Sequence, residues 1–317
     1  MIDFLKYKNF YLGFSAIMFI GSIIAVSLFG LNLGIDFSHG SILGVQFKDA
    51  VPKTSQIREA IQEFGIKDPS VRTTEGKGVE ITFQDIVSQE QTKDLNPDQI
   101  EELKTSKQEE LKSFLNNKFG IVEESVSFEE VSPIVGSRIL NKTAWALILS
   151  TIAIIAIVAV SFRKISRPIS SWKYGIATIV ALFHDIMLPI GLFAILGKFY
   201  GVQFTLQIII ALLTVFGYSV NDTIVIFDRI RENLIRKNAP NFYEAINKSL
   251  NEVVGRSLAT TFTTLLPLLA LFFFGGETLK YFSLALLVGI TLGAYSSIFI
   301  ATPIVYLWAR NKIEKIK

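Results

Sequence analysis

Long apolar runs alternate with polar segments along the chain, and these runs predict membrane-spanning helices. A helix needs about 20 apolar residues to cross the hydrocarbon core of a bilayer. Six runs are of about that length, and ionisable side chains interrupt only two of them, at His184-Asp185 and at Asp222. We therefore predict a polytopic α-helical membrane protein. Its six transmembrane helices are expected at residues 11–31, 143–162, 174–197, 205–227, 257–276 and 281–308.

Basic residues in the short loops predict the orientation of these spans. The loop 163–173 carries four lysine or arginine residues and no acidic residue. Lysine and arginine in short loops mark the cytoplasmic side of a membrane. Both termini are then cytoplasmic, and residues 32–142 lie on the outer, periplasmic side. The cytoplasmic segments in this topology are 1–10, 163–173, 228–256 and 309–317.

Residues 32–142 have the pattern of a small water-soluble α+β domain. Alternating apolar and polar positions predict four strands, and helical spacing of apolar residues predicts one helix over 54–64 and a longer one that begins at Pro97. The order β-α-β-β-α-β predicts a ferredoxin-like domain, and no catalytic constellation is visible in it. The strands are expected at 44–47, 71–74, 79–83 and 122–128.

The segment between the fourth and fifth spans contains an amphipathic pattern. Phe242, Ala245, Ile246, Leu250 and Val253 fall on one face of a helix. We predict that this helix lies in the inner membrane interface with its apolar face toward the lipid.

Composition supports a membrane protein and excludes several kinds of chemistry. Half of the residues are apolar and only 19% are charged, and the mean hydropathy is +0.44. Water-soluble domains rarely have this composition. The net charge of +3 and the absence of a basic face with interleaved aromatics give no argument for nucleic acid. Cysteine is absent, which excludes disulfides and thiolate chemistry, and we expect no cofactor.

Asp222 is the first candidate functional residue, because an ionisable group inside a span is costly and usually functional. Thr214, Tyr218 and Asp222 recur every four residues and form a polar stripe on one side of the fourth span. Asp222 and Arg256 each lie about 21 residues from the outer ends of their spans, at a similar depth. We hypothesise that Asp222 takes up and releases a proton and that Arg256 tunes its affinity.

A polar path is expected to accompany Asp222 and Arg256. Pro267 in the fifth span frees a backbone carbonyl beside it. The alternative is a static ion pair at the inner boundary that only fixes helix packing, or charges that reach the interface by snorkelling. The other side chains of the predicted path are Asn221, Thr223, Thr260, Thr263, Thr264, His184 and Asp185.

His184 and Asp185 form the second candidate group, in the third span. A metal site would need further ligands, and the other histidine, His39, is expected near the opposite face. We therefore expect no metal. The pair is predicted to be buried, hydrogen-bonded and close to Asp222, as a candidate member of the same relay.

The motif Gly217-Tyr218-Ser219-Val220-Asn221-Asp222-Thr223, continued to Asn233, resembles the hallmark of the SecF family, a subunit of the SecDF protein-export complex. Further motifs follow in the family's order, so the resemblance covers nearly the whole chain. His39 departs from it, because the family usually has glycine there, and histidine resists backbone angles that glycine allows. The further motifs are Gly34–Ser38, Val135-Gly136, Phe183–Asp185, Arg256–Thr261 and Phe272–Gly276.

The resemblance implies a bacterial inner-membrane protein similar to half of an RND-type transporter. Such a subunit pairs with SecD in a twelve-span assembly and uses the proton-motive force to assist late translocation of a polypeptide through SecYEG, with YajC as a further partner. Asp222 and Arg256 match the family's functional acid and arginine. The resemblance therefore implies a secondary-transport-type subunit and no enzyme.

Three alternatives remain from the sequence. A half-size RND pump for lipids or drugs would need a large apolar cleft in the outer domain. An intramembrane hydrolase would need a nucleophile or a second acid at the depth of Asp222. A passive scaffold for SecD would tolerate loss of Asp222. The coupling ion, H⁺ or Na⁺, is also left open.

Overall fold

The structure is a computed structural model that describes residues 1–34, 37, 40–48, 50–66, 69–74, 77–83, 86–87, 95–131, 133–162 and 170–313. His39 and residues 163–169 of the predicted basic loop lie outside this part of the chain. The chain forms two compact units. The helical unit contains Met1–Asn32, Thr143–Phe274 and Lys280–Lys317, and the sheet unit contains Leu33–Lys142 and Gly275–Leu279.

Nine α-helices and four strands make up the regular structure of the described residues. A π-helical segment, Ser297–Ala301, joins α8 to α9, and Glu123–Ser125 is a 3₁₀ turn. In chain order the elements are α1 (Lys8–Phe29), β1 (Gly40–Gln46), α2 (Thr54–Glu63), β2 (Ser70–Thr73), β3 (Gly78–Phe83), α3 (Pro97–Phe119), β4 (Ser127–Val131), α4 (Pro133–Phe162), α5 (Ser171–Tyr200), α6 (Leu206–Ile235), α7 (Phe242–Phe274), α8 (Glu277–Ser296) and α9 (Thr302–Ile313).

Five helical segments among the described residues are long and apolar enough to cross a membrane. The predicted second span, 143–162, falls in α4, whose described apolar stretch is the shorter Asn141–Ile157. A tight turn at Gly201 separates α5 from α6, and this glycine has the left-handed backbone (φ +68°) that commonly ends a helix. The five segments are Lys8–Phe29, Trp172–Tyr200, Leu206–Ile235, Phe242–Phe274 and Leu279–Ala309.

The helical unit has a buried centre and apolar outer helices. Half of the apolar window of α5 and of α6 is buried within the chain, against 11% for α1 and for α7. The outer faces of α1 and α7 carry large apolar side chains such as Phe10, Ile17 and Phe262. Lipid or protein must cover such a surface, because water-soluble monomers rarely expose large contiguous apolar patches.

The predicted amphipathic helix and fifth span form one continuous helix, α7. The face expected to lie on lipid is buried in the protein instead, where Phe242, Ile246 and Leu250 join a core with Leu5 and Tyr174. The helix continues because Gly255 costs only about 1 kcal/mol inside a helix. The prediction of a separate interfacial helix facing the lipid was therefore wrong.

The first residues of the chain are fastened to the start of α7. The phenol of Tyr243 donates to Asp3 at 2.6 Å, and the amide of Asn247 donates to the same carboxylate at 2.9 Å. Asn251 accepts from the backbone of Ile2 and donates to it. These bonds hold the N-terminal segment beside α7.

The sheet unit has one antiparallel sheet in the strand order β2-β3-β1-β4. On β1, Leu43 lies opposite Ile81 of β3 and Phe128 of β4. Ile57 and Ile61 of α2 and Leu111 and Leu115 of α3 pack with the buried side chains of β1 and β3 in one core. The elements follow the order strand, helix, strand, strand, helix, strand.

Candidate ion-coupling site

Asp222 lies in the interior of α6 and is only 5% exposed. Its carboxyl group approaches the hydroxyl of Ser257 on α7. The geometry falls outside that of a hydrogen bond, and Asp222 Oδ2 and Ser257 Oγ are both buried without a partner. A buried polar atom without a partner costs about 1–3 kcal/mol. Asp222 Oδ2 is the one carboxyl oxygen of the described residues that is buried without a hydrogen-bond partner.

Arg256 does not form an ion pair with Asp222 in this structure. Its side chain is exposed and lines a cleft of about 550 Å³ at one end of α6 and α7. The charges around this cleft pair with each other, since Arg229 contacts Glu252 at 2.7 Å and Arg231 contacts Asp228 at 3.1 Å. Arg256 thus lies beside Ser257 in the chain while its guanidinium faces the cleft.

The face of α7 that meets Asp222 differs from the predicted one. Ser257 and Thr261, one turn apart, are buried, and their hydroxyls lack partners. Thr260 and Thr263 are exposed and donate to carbonyls of their own helix. Sequence reasoning missed Ser257 and Thr261 because neighbouring faces of α7 both carry hydroxyls at helical spacing. Only the burial of the side chains distinguishes the face with Ser257 and Thr261 from the face with Thr260 and Thr263.

The remaining predicted residues of α6 point in several directions. Thr214 and Asn221 are exposed, and the Thr214 hydroxyl donates to its own helix. Tyr218 is half-buried, and its phenol lies 3.4 Å from the Thr264 hydroxyl of α7. Thr223 is buried, with its hydroxyl 2.8 Å from that of Ser297. Only Tyr218 and Thr264 of the predicted path connect α6 to α7 by a side-chain contact.

His184 and Asp185 form the buried, hydrogen-bonded pair that their sequence context predicts. His184 Nδ1 lies 3.1 Å from Asp185 Oδ1. The hydroxyls of Ser219 on α6 and Ser296 on α8 each donate to Asp185 Oδ2 at 2.6 Å. Asp185 is fully buried, and His184 Nε2 is buried without a partner. The pair contacts the face of α6 that carries Ser219 and Thr223, whereas Asp222 faces α7.

The π-helical segment explains how two consecutive serines reach two different helices. Ser296 bonds to Asp185 of α5, and Ser297 bonds to Thr223 of α6. Thr302 donates to the carbonyl of Ser297, five residues back. Single-turn π segments occur frequently at functional sites. Neither serine was predicted, because an isolated hydroxyl in an apolar run usually bonds to its own helix.

The described residues thus place two acidic side chains inside the helical unit. Asp222 Oδ2 has no partner. Asp185 accepts hydrogen bonds from Ser219 of α6 and Ser296 of α8, and it lies 3.1 Å from Nδ1 of His184.

Comparisons with known proteins agree with this architecture. Residues 110–311 match the family described as protein export membrane protein SecD/SecF, C-terminal. The protein translocase subunit SecF of Thermobaculum terrenum is 38% identical, and the alignment covers 100% of this chain and 96% of that protein. SecF of Thermodesulfovibrio yellowstonii is 36% identical over 99% of this chain and 97% of its own length.

Two solved structures have the same fold. SecDF of Thermus thermophilus, described as a translocon-associated membrane protein, matches 98% of this chain with a TM-score of 0.76 and 28% identity. A SecDF structure in a super-membrane-facing form matches 99% with a TM-score of 0.70 and 27% identity. The chain spans 39% of each of these longer chains. With the family match over most of its length and SecF relatives aligned end to end, the chain belongs to the SecD/SecF C-terminal family and, within it, to the SecF protein translocase subunits.

Proposed function

We propose that this chain is the SecF-like half of a protein-export device that, together with SecD, uses the proton-motive force to assist late translocation of a polypeptide through SecYEG. YajC is a further partner in this proposal. The chain acts as a secondary-transport-type subunit and catalyses no covalent chemistry. The match to 39% of longer SecDF chains supports the pairing, since the remainder of those chains is available for SecD.

The proposed topology has six spans, both termini in the cytoplasm and residues 32–142 in the periplasm of a bacterial inner membrane. Five apolar helices and the apolar stretch Asn141–Ile157 of α4 support the six spans. The turn at Gly201 between α5 and α6 supports an antiparallel order of these two helices. The antiparallel sheet order β2-β3-β1-β4, with two helices packed on the strands, supports a ferredoxin-like periplasmic domain.

The observation that carries the proposal is the unpaired, buried carboxyl group of Asp222. An intramembrane acid that only fixed helix packing would be expected to have its oxygens bonded, as those of Asp185 are. Asp222 Oδ2 has no such partner. A carboxyl group in that position can bind a proton without breaking an existing bond, and its ionised form can attract a cation that moves toward it. Arg256 is the candidate for this moving cation, because it directly precedes Ser257 in the sequence.

The test compares proton flux and export in proteoliposomes that contain the chain with SecD and SecYEG under an imposed gradient. Asp222→Asn is expected to lower gradient-driven export at least about tenfold, because the amide keeps the shape but cannot exchange a proton. Asp228→Asn is the matched control, since Asp228 is an exposed carboxylate on the same helix that pairs with Arg231. Export and flux that survive Asp222→Asn would leave the passive scaffold as the better account.

A further inference from the structure

The His184–Asp185 pair has a buried nitrogen with no partner. His184 is 5% exposed, and its Nδ1 is engaged by Asp185. The ring lies between Phe19 of α1 and Tyr295 of α8, with centroid distances of 6.5 and 6.4 Å. Nε2 therefore points into the protein without a donor or an acceptor. An orphaned nitrogen of this kind calls for a ligand, because buried polar atoms are rarely left unbonded.

Both oxygens of the Asp185 carboxyl group have close polar neighbours. Oδ2 accepts two hydroxyl hydrogens at 2.6 Å, and Oδ1 lies 3.1 Å from Nδ1 of the imidazole. Because Asp185 is fully buried, its ionised form needs a nearby positive charge. Among the described residues, His184 is the one basic side chain in contact with it.

Few ionisable groups face this pair from the elements packed around it. The phenol of Tyr295 bonds to Ser15 of α1 at 3.1 Å. Asp222 is on α6, but its carboxyl group faces α7. The side chains that α6 and α9 place around the pair and its serines carry hydroxyl groups, and α1 places the aromatic ring of Phe19 there. The side chains around the pair and its serines are Ser219 and Thr223 of α6, Tyr295 and Ser296 of α8, Ser297 of the π segment, Thr302 of α9, and Phe19 of α1.

We propose that His184 and Asp185 form a second proton-binding site, with Nε2 of His184 as the atom that takes up the proton. With Nδ1 carrying the hydrogen toward Asp185, the lone pair of Nε2 accepts H⁺ from water and the ring becomes imidazolium. The net charge of the pair changes from −1 to zero. No other reactant is needed. Proton binding itself is independent of the proposed function, and only its use in coupling rests on that function.

Protonation of this pair would change the attachment of α6. Ser219 donates to Asp185 from a position one turn before Asp222, and Ser296 donates from the residue before the π segment. Asp185 is a carboxylate in both states, and an imidazolium beside it competes with the two serines for its negative charge. The strength of the hydrogen bonds from Ser219 and Ser296 therefore depends on the protonation state of the ring. Through α6 the second site is connected to Asp222.

The chain offers a direct test, because it contains only two histidines, His39 and His184. A His39→Gln chain labelled with ¹⁵N-histidine, purified without a polyhistidine tag and placed in lipid bilayers, reports His184 alone. Its two ring ¹⁵N shifts distinguish imidazolium from the neutral form. We expect the ring to change between these forms when the sample is moved from acid to alkaline conditions. A ring that keeps one form throughout would overturn the proposal.

Asp185→Asn in the same background tests the role of the carboxylate. Loss of the neighbouring anion is expected to increase the share of neutral ring under conditions in which the parent chain shows both forms. Asp228→Asn, which removes an exposed carboxylate of α6, is the control and is expected to leave this share unchanged. An unchanged share in Asp185→Asn would contradict the proposal.

A second variant, Ser296→Ala, tests the proposal even if Asp185→Asn does not fold. Ser296→Ala retains Asp185 but removes one of its hydrogen-bond donors. A less stabilised anion attracts the proton more strongly, so the share of imidazolium is expected to rise under the same conditions. A share that stays fixed in this variant counts against the proposal. The result of this measurement is independent of the result of the export test. If the His184 ring changes its protonation state while export survives Asp222→Asn, the proton-binding site is retained and the coupling role of Asp222 is rejected.

Discussion

The carboxyl group of Asp222 faces the hydroxyl of Ser257 across the contact between α6 and α7, and neither Asp222 Oδ2 nor Ser257 Oγ has a hydrogen-bond partner. Thr261, one turn further along α7, repeats the arrangement with a third buried and unpaired oxygen. Three buried polar atoms without partners, one on α6 and two on α7, are costly in a finished interior. They are expected when the contact changes between two arrangements or admits water.

Ser257→Ala is predicted to lower proton flux several-fold without loss of stability. The hydroxyl makes no bond in this structure, so its removal should leave the free energy of unfolding unchanged or raise it by up to about 1 kcal/mol. Proton flux should fall because alanine cannot form a hydrogen bond to water or to Asp222 when the contact between α6 and α7 rearranges. Ser283→Ala of α8 is the matched control, since Ser283 Oγ is also buried and unpaired. Equal flux in both variants would remove Ser257 from the site.

Arg256→Gln is predicted to impair flux while leaving the isolated chain equally stable. The guanidinium is exposed and forms no ion pair within the described residues, so the free energy of unfolding should change by less than about 0.5 kcal/mol. Arg256→Lys keeps the charge and should retain more flux than Arg256→Gln. Unfolding in mixed detergent micelles measures the first effect. A loss of more than about 1 kcal/mol would instead favour the static ion pair.

The ionisable residues inside the spans were predictable from the sequence, and their partners were not. Asp222 and the His184–Asp185 pair stand out because charges are rare in apolar runs. Ser219, Ser296 and Ser297 carry no such signal, since a serine in an apolar helix commonly bonds to its own backbone. The π segment itself contains no proline or glycine, but Pro303 follows it two residues after its end. Proline lacks a backbone N–H and disturbs the helical turn before it.

The boundaries of the helices and strands were likewise only partly predictable from the sequence. The helices and the first three strands of residues 32–142 were predictable from local periodicity, as in Ile57, Ala60 and Ile61 of α2, which are buried. The fourth strand, predicted at 122–128, was wrong over most of its length, because Glu123–Ser125 is a 3₁₀ turn and β4 begins at Ser127. The sequence did not predict that the interfacial helix and the fifth span form one continuous helix, α7. An apolar face predicts burial, but whether lipid or protein buries it is decided by the core around Leu5 and Tyr174.

Gly191→Ala is predicted to destabilise the contact between α1 and α5. An added Cβ would lie 2.5 Å from Ser22 Cβ and 2.7 Å from Ser22 Cα. Because a backbone atom of α1 cannot move away cheaply, the free energy of unfolding should fall by about 1–3 kcal/mol. Gly255→Ala in α7 is the control, since an added Cβ there meets open space. That variant should gain up to about 1 kcal/mol from helix propensity.

The attachment of the N-terminal segment to α7 is predicted to weaken in acid. The hydrogen bond from Tyr243, followed by those from Asn247 and from backbone amides, holds the pKa of Asp3 below its ordinary value of 3.8. A group whose pKa is lowered by folding stabilises the folded form above its unfolded pKa and loses this effect as the pH falls through the folded pKa. The attachment should therefore be complete at pH 5 and above and weaken below about pH 3.8.

Spin labels can follow this attachment, because the chain has no native cysteine. Labels at Lys6→Cys and Lys248→Cys should give a narrow distance distribution at neutral pH and a broad one in acid. Tyr243→Phe removes the strongest donor, so the broadening should begin at a higher pH, nearer the ordinary pKa of Asp3. Asp3→Asn should remove the pH dependence. A narrow distribution that persists down to the lowest pH at which the chain stays folded, or equal broadening in Asp3→Asn, would show that other contacts, such as those of Asn251 with Ile2, hold the segment.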